Sequence, residues 1–146
     1  MIPARAAALL MLFATIPSIA RAQLYKYYTP GSVWAVQFVR VKYEQDQNYL
    51  VYLDGTFKRS QDAQVKAGVL KSYKVLRTFD DSDHSWNMMV MYEYPSLAAL
   101  EASQQKQDSI QSQVFGGESA RVQAAQDREK LREPMGLRMM RELILK

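Results

Sequence analysis

Cysteine is absent from the 146 residues. That excludes disulfides, thiol nucleophiles and cysteine-ligated metal clusters. Histidine occurs once, at His84, so any histidine-dependent mechanism must use that residue. There is no phosphate loop, dinucleotide fingerprint, nucleophile elbow or zinc-protease helix. No basic stripe with interleaved aromatics is present either, so nucleic-acid binding has no support. An apolar run long enough to span a bilayer as a helix is also missing.

What the chain does have begins with a targeting pattern. Arg5 supplies a positive start, and Ala6–Ile16 forms a short apolar core. Ala20-Arg21-Ala22 is a small-residue cleavage signal. The expectation is a signal peptide over residues 1–22, cut after Ala22, and a periplasmic or secreted product with no stable membrane span. Removal takes Arg5 and Arg21, leaving 124 residues with 17 basic against 15 acidic side chains, or +2. A chain of that length supports one domain and one core. Without disulfides, an exported protein depends on that core or on a partner subunit.

Gly31–Lys42, GSVWAVQFVRVK, organises the rest. Successive strand side chains point to opposite faces. Trp34, Val36, Phe38 and Arg40 fall on one face; Val33, Ala35, Gln37, Val39 and Val41 fall on the other. Both faces are mainly apolar, as expected of a central strand covered on both sides. Trp86–Tyr94, WNMMVMYEY, behaves the same way. Leu70–Thr78 and Leu137–Leu145 carry more charge and suit sheet edges.

Between these runs the chain reads in order. Residues 23–30 form a lead-in arm ending in a Pro-Gly turn signal. A helix is expected from Asn48, its N-cap, to Ala67, with Gly68 as its left-handed end. Asp80–Ser85 connects a hairpin. Ser96 caps a helix that runs to about Val114. Gly116-Gly117 breaks it, and Ser119–Arg132 forms a further helix that Pro134 and Gly136 end. The domain proper thus covers residues 31–146.

Strand, helix, strand, strand, helix, short helix, strand is the β-α-β-β-α-β order of the ferredoxin-like motif. The expected class is α+β, with a four-stranded antiparallel sheet whose first and third strands are central. Helices cover one face of such a sheet. The other face is also largely apolar here, which calls for a covering partner. The expectation is a homodimer.

Three stretches carry a family resemblance: VWAVQFVRVK, GVLKSYKVL and MYEYPSLAALEA. From Val33 to the C-terminus the chain resembles the dimeric α/β barrel superfamily, which includes the stress-responsive barrel, antibiotic-biosynthesis monooxygenase, EthD and NIPSNAP groups. It is most similar to uncharacterised exported members. Tyr43-Glu44-Gln45-Asp46 stands where several relatives have Pro-Gly. The histidine that some monooxygenase-like members carry near the second helix is missing.

Candidate chemistry is sparse. Asp81, Asp83 and His84 lie together in the hairpin loop, but their spacing matches no closed zinc set or calcium loop; a solvated turn is the competing reading. Gln37, Asn87 and Glu93, with Met89 and Met91, are candidates for orienting a small, partly apolar ligand between two sheets. Glu93 against an apolar wall is the one candidate catalytic base. In the structural alternative Gln37 bonds across the sheet and Glu93 pairs with Arg40, Arg77 or Arg138. Arg121, Arg128, Arg132, Arg138 and Arg141 read as a solvated helical face and an edge strand, not an anion site. No cofactor is expected. Three functions stay open: ligand binding, a cofactor-independent monooxygenase or isomerase, and a structural interaction module.

Overall fold

A computed structural model describes residues 26–79 and 85–146. The expected signal peptide and the loop residues Asp81, Asp83 and His84 lie outside the described residues. Strand β1 runs Tyr28–Val41. Helix α1 (Asp46–Tyr52) passes through a π-turn, Leu53–Phe57, into α2 (Lys58–Lys66). Strands β2 (Ser72–Arg77) and β3 (Met88–Tyr94) follow. Then come α3 (Leu97–Ala102), α4 (Gln104–Phe115), α5 (Glu118–Leu131) and β4 (Arg132–Leu145).

The strands form one sheet in the order β2-β3-β1-β4, antiparallel at every pairing. The two runs that are apolar on both faces are therefore the central strands, and the two charged runs are the edges. Helices cover one face. Two apolar clusters lie beneath them. Val39, Val41, Met88 and Val90 pack with Tyr49, Leu53 and Phe57. Val33, Ala35 and Tyr94 pack with Val69 and Leu70. Full burial of side chains such as Met88, Val39 and Val90 stabilises the fold by about 1.5–3 kcal/mol each.

The π-turn has a geometric purpose. Tyr49, Leu53 and Phe57 are four residues apart, and in a regular helix each step of four drifts by about 40°. The wider turn takes up that drift, so all three meet the sheet and are buried.

Several boundaries differ from the sequence expectation. The cap of α1 is Gln45, not Asn48, whose Nδ2 instead donates to Gln45 Oε1 at 2.9 Å. Ser96 does cap α3, its Oγ accepting from Ala99 N–H at 3.1 Å. Gly68 does end α2, with φ of 72°. The arm and strand are continuous: Tyr28–Pro30 already pair with Leu143–Leu145, and the Pro-Gly signal marks a register shift between Pro30 and Val33. A proline is tolerated where the ladder is interrupted in this way. For the same reason β4 begins at Arg132 and runs through Pro134 and Gly136. Phe38 pairs with Gly136 and Val39 with Pro134, so Met135 is the extra residue of a bulge. Beyond Arg132, β4 is exposed along its whole length.

Candidate functional site

The sheet separates two sets of candidate residues. Register places Trp34 opposite Glu93, Val36 opposite Met91 and Phe38 opposite Met89. These residues, with Asn87 one step on, belong to the face that the helices leave bare. Gln37 pairs with Val90 on the helix-covered face. The five residues expected to meet a common ligand therefore do not share a face, because Gln37 has the opposite parity to Asn87, Met89, Met91 and Glu93.

Two of the polar candidates are engaged in holding the sheet. Asn87 is buried, and its Oδ1 accepts from Val41 N–H at 2.8 Å. Glu93 sits in a polar knot. Its carboxylate accepts from Ser72 Oγ at 2.6 Å and lies 2.8 Å from Lys71 Nζ. The same ammonium donates to Ser32 Oγ at 2.6 Å, and Ser32 N–H donates to Glu142 Oε2 at 3.3 Å. The partner is thus Lys71 rather than Arg40, Arg77 or Arg138. Partial burial pushes the Glu93 carboxyl up, but hydrogen bonds from Lys71, Ser72 and Ser32 outweigh it and hold the group at about 2. A carboxylate held that low is a weak proton acceptor, the opposite of the raised pKa a general base needs.

The helix-covered face holds a cavity of about 240 Å³. Val90, Tyr92 and Tyr94 of β3 form its floor. Ser60, Gln61 and Gln64 of α2 form one wall, and Gln107, Gln111 and Phe115 of α4 another. Tyr49 and Tyr52, stacked with ring centres 5.7 Å apart, close one end with Phe57. Arg128, in the last turn of α5, and Arg132, at the start of β4, complete the lining. None of Gln37, Asn87, Met89, Met91 and Glu93 is among these residues.

This lining is chemically unusual for an interior. Gln61 and Gln64 are buried, the Gln64 amide donating to Gln61 Oε1 at 3.1 Å. Arg128 Nη1 donates to Tyr52 Oη at 3.1 Å, while Arg128 Nε is buried without a hydrogen-bond partner. Arg132, 8% exposed, has its guanidinium 5.9 Å from the centre of the Tyr49 ring. Burial pushes the Tyr92 phenol upward. Burial does the same at Tyr49, against the opposing charge of Arg132. The Tyr49 and Tyr92 phenols therefore stay neutral at ordinary pH and offer both a donor and an acceptor.

Arg128 and Arg132 were expected on a solvated face, and the cavity corrects that. Its signature in the sequence is spacing. Arg128 and Arg132 are four apart, as are Gln107 and Gln111, and Gln61 and Gln64 are three apart. Each glutamine pair therefore falls on a single helical face, while Arg132 follows the last residue of α5 in extended backbone. Among the described residues, no group of three or more His, Asp or Glu side chains is arranged to hold a metal ion.

A four-stranded antiparallel sheet in the order β2-β3-β1-β4, with helices on one face, defines an α+β protein of the ferredoxin-like fold. Comparison with solved structures agrees. The chain is similar to a dimeric ferredoxin-like protein from an uncultured marine organism, at 14% identity and a TM-score of 0.53, over 80% of this chain and 90% of that one. It is also similar to a dimeric protein of unknown function and ferredoxin-like fold from Bacteroides fragilis NCTC 9343, at 13% identity and a TM-score of 0.46, over 81% of this chain and 100% of that one. No protein-family pattern matches the chain, and no curated protein matches it in sequence.

Proposed function

We propose that the protein is an exported homodimer that binds a small molecule in the cavity between helices and sheet of each subunit. The observation that carries the reading is the cavity itself: about 240 Å³, walled by aromatic rings, with glutamine amides, phenols and two guanidinium groups converging on it. Directional polar groups converging on a concave site beside aromatic rings are what fixes a small ligand's orientation. The dimer is supported by the bare face of the sheet, where Leu76 and Met140 stay 51% and 45% exposed. The similar marine protein is a dimer as well. Export is supported by the apolar run Ala6–Ile16 and the Ala20-Arg21-Ala22 signal. Among the described residues no helix is long and apolar enough to cross a membrane. The nearer kinship with the NIPSNAP, EthD and antibiotic-biosynthesis monooxygenase barrels rests on the three stretches quoted above.

A second reading places the ligand between the sheets of two subunits, against Met89, Met91 and Glu93. The apolar character of the bare face favours it.

Native mass spectrometry of the protein from its own cells tests the proposal. A dimer mass carrying one small molecule per subunit is the expected result. A monomer without any adduct would overturn it. An adduct that survives filling the cavity by Gln64→Phe would move the site to the sheet interface.

A further inference from the structure

We infer that the cavity is built for a small organic anion, a carboxylate on a planar body, held between Arg128 and Arg132. This rests on the reading that the cavity is a binding site. The argument begins from charge. Arginine is rarely buried unless paired. Removing a guanidinium from water costs several kcal/mol unless a counter-charge compensates. Two arginines line this hollow, and among the described residues no Asp or Glu does.

Among the described residues no ion pair joins a carboxylate to Arg128 or Arg132. Asp62 holds Lys58 at 2.6 Å, Asp127 holds Lys130 at 2.7 Å and Glu118 holds Arg121 at 2.6 Å. The C-terminal end of α5 offers about half a negative charge. It faces two whole positive ones, and its carbonyls already serve Lys42: Leu131 O accepts from Lys42 N–H at 3.0 Å and Glu129 O from Lys42 Nζ at 2.8 Å. Tyr49 gives Arg132 a ring face, and Tyr52 gives Arg128 one oxygen. Neither is a carboxylate. The buried Nε of Arg128 is still without an acceptor. Arg128 lines the cavity, and a guanidinium suits the paired oxygens of a carboxylate.

Size and walls choose the rest of the ligand. A hollow of about 150 Å³ admits benzene. This one, at about 240 Å³, holds a ring bearing a carboxylate and a few further atoms. The stacked pair Tyr49 and Tyr52 offers flat apolar surface for that ring, and Gln61, Gln64 and Gln107 offer amides for its substituents. Access lies between α4 and α5. Gln111, Phe115 and Arg128 line both the cavity and a second hollow of about 260 Å³ between those helices.

Titration calorimetry with benzoate, benzamide and inorganic phosphate tests the inference, on the wild-type protein and on Arg128→Gln and Arg132→Gln. The expected result is benzoate binding at least tenfold tighter than either of the others. Arg128→Gln should weaken benzoate at least tenfold and benzamide less than twofold. Its ligand-free melting temperature should stay level or rise, since a half-buried cation without a carboxylate partner has gone. Should Arg132→Gln not fold, Arg128→Gln carries the test alone. Equal affinity for benzoate and benzamide would overturn the anion while leaving the cavity a binding site. Phosphate binding as tightly as benzoate would overturn the organic body. No binding of benzoate, or binding indifferent to both substitutions, would overturn the inference outright.

Discussion

Asn87 completes the pairing of Val41. Its Oδ1 takes the Val41 N–H at 2.8 Å, and its own N–H donates to Val39 O at 3.0 Å. The side chain extends the β1–β3 ladder past the first residue of β3, which is why that strand starts at Met88 and not at Trp86. Asn87→Ala should leave a buried donor unsatisfied and cost about 1–3 kcal/mol. Urea unfolding measures this. An unchanged midpoint would mean that water replaces the amide.

The knot around Glu93 ties three strands on the bare face and gives a pH-dependent stability. The folded pKa lies near 2, below the ordinary 4.5. The stabilisation is therefore present above about 4.5 and is lost as pH falls through about 2. Lys71 is half-exposed, so solvent screening keeps the contribution to about 1–2 kcal/mol. Glu93→Gln should lower the urea midpoint at pH 7, and the gap should narrow steadily below pH 4.5. A gap independent of pH would show that the charge of Glu93 contributes nothing.

The bare face should govern association. Leu76, opposite Met89, and Met140, opposite Trp34, are half-exposed on that face and distant from the cavity. Leu76→Glu and Met140→Glu should each convert a dimer to a monomer in light scattering, with the far-ultraviolet spectrum unchanged. A dimer that survives both would place the interface elsewhere, with the free edge of β4 the first place to look.

The turn between α4 and α5 should respond sharply to a side chain. Gly117 has φ of 126° and ψ of 170°, a region open in practice to glycine alone. Its N–H donates to Ser112 O at 2.8 Å, closing the end of α4. Gly117→Ala should cost about 1–3 kcal/mol. It should also speed hydrogen exchange in α4 and α5, because the two helices meet through that turn. Exchange confined to the turn itself would contradict this.

The central strands were legible because burial on both faces leaves a parity signature. Trp34, Val36 and Phe38 alternate with Val33, Ala35 and Val39, and no wet strand reads that way. The order of elements then settled the topology. Proline misled twice. Pro30 and Pro134 read as stops, yet each stands where the β1–β4 register shifts and a missing N–H costs little. The cavity was illegible for a different reason. Gln61, Gln64, Gln107 and Gln111 look the same in sequence whether they face water or a polar hollow. Arg128 and Arg132 sit among Asp127, Glu129 and Glu133, which suggests local pairing. The structure shows Asp127 taken by Lys130.

The π-turn at Leu53–Phe57 also bears on how this chain tolerates length change. A wide turn stores one surplus residue. Losing Asp54 or Gly55 would let the helix close to regular pitch while the segments on either side keep their relative orientation. The same loss at Asp62 would swing Gln64 through about 100°. That would carry its amide away from the hollow and expose an otherwise hidden wall. Indels are thus absorbed at one point of this helix and reshape the cavity at the next.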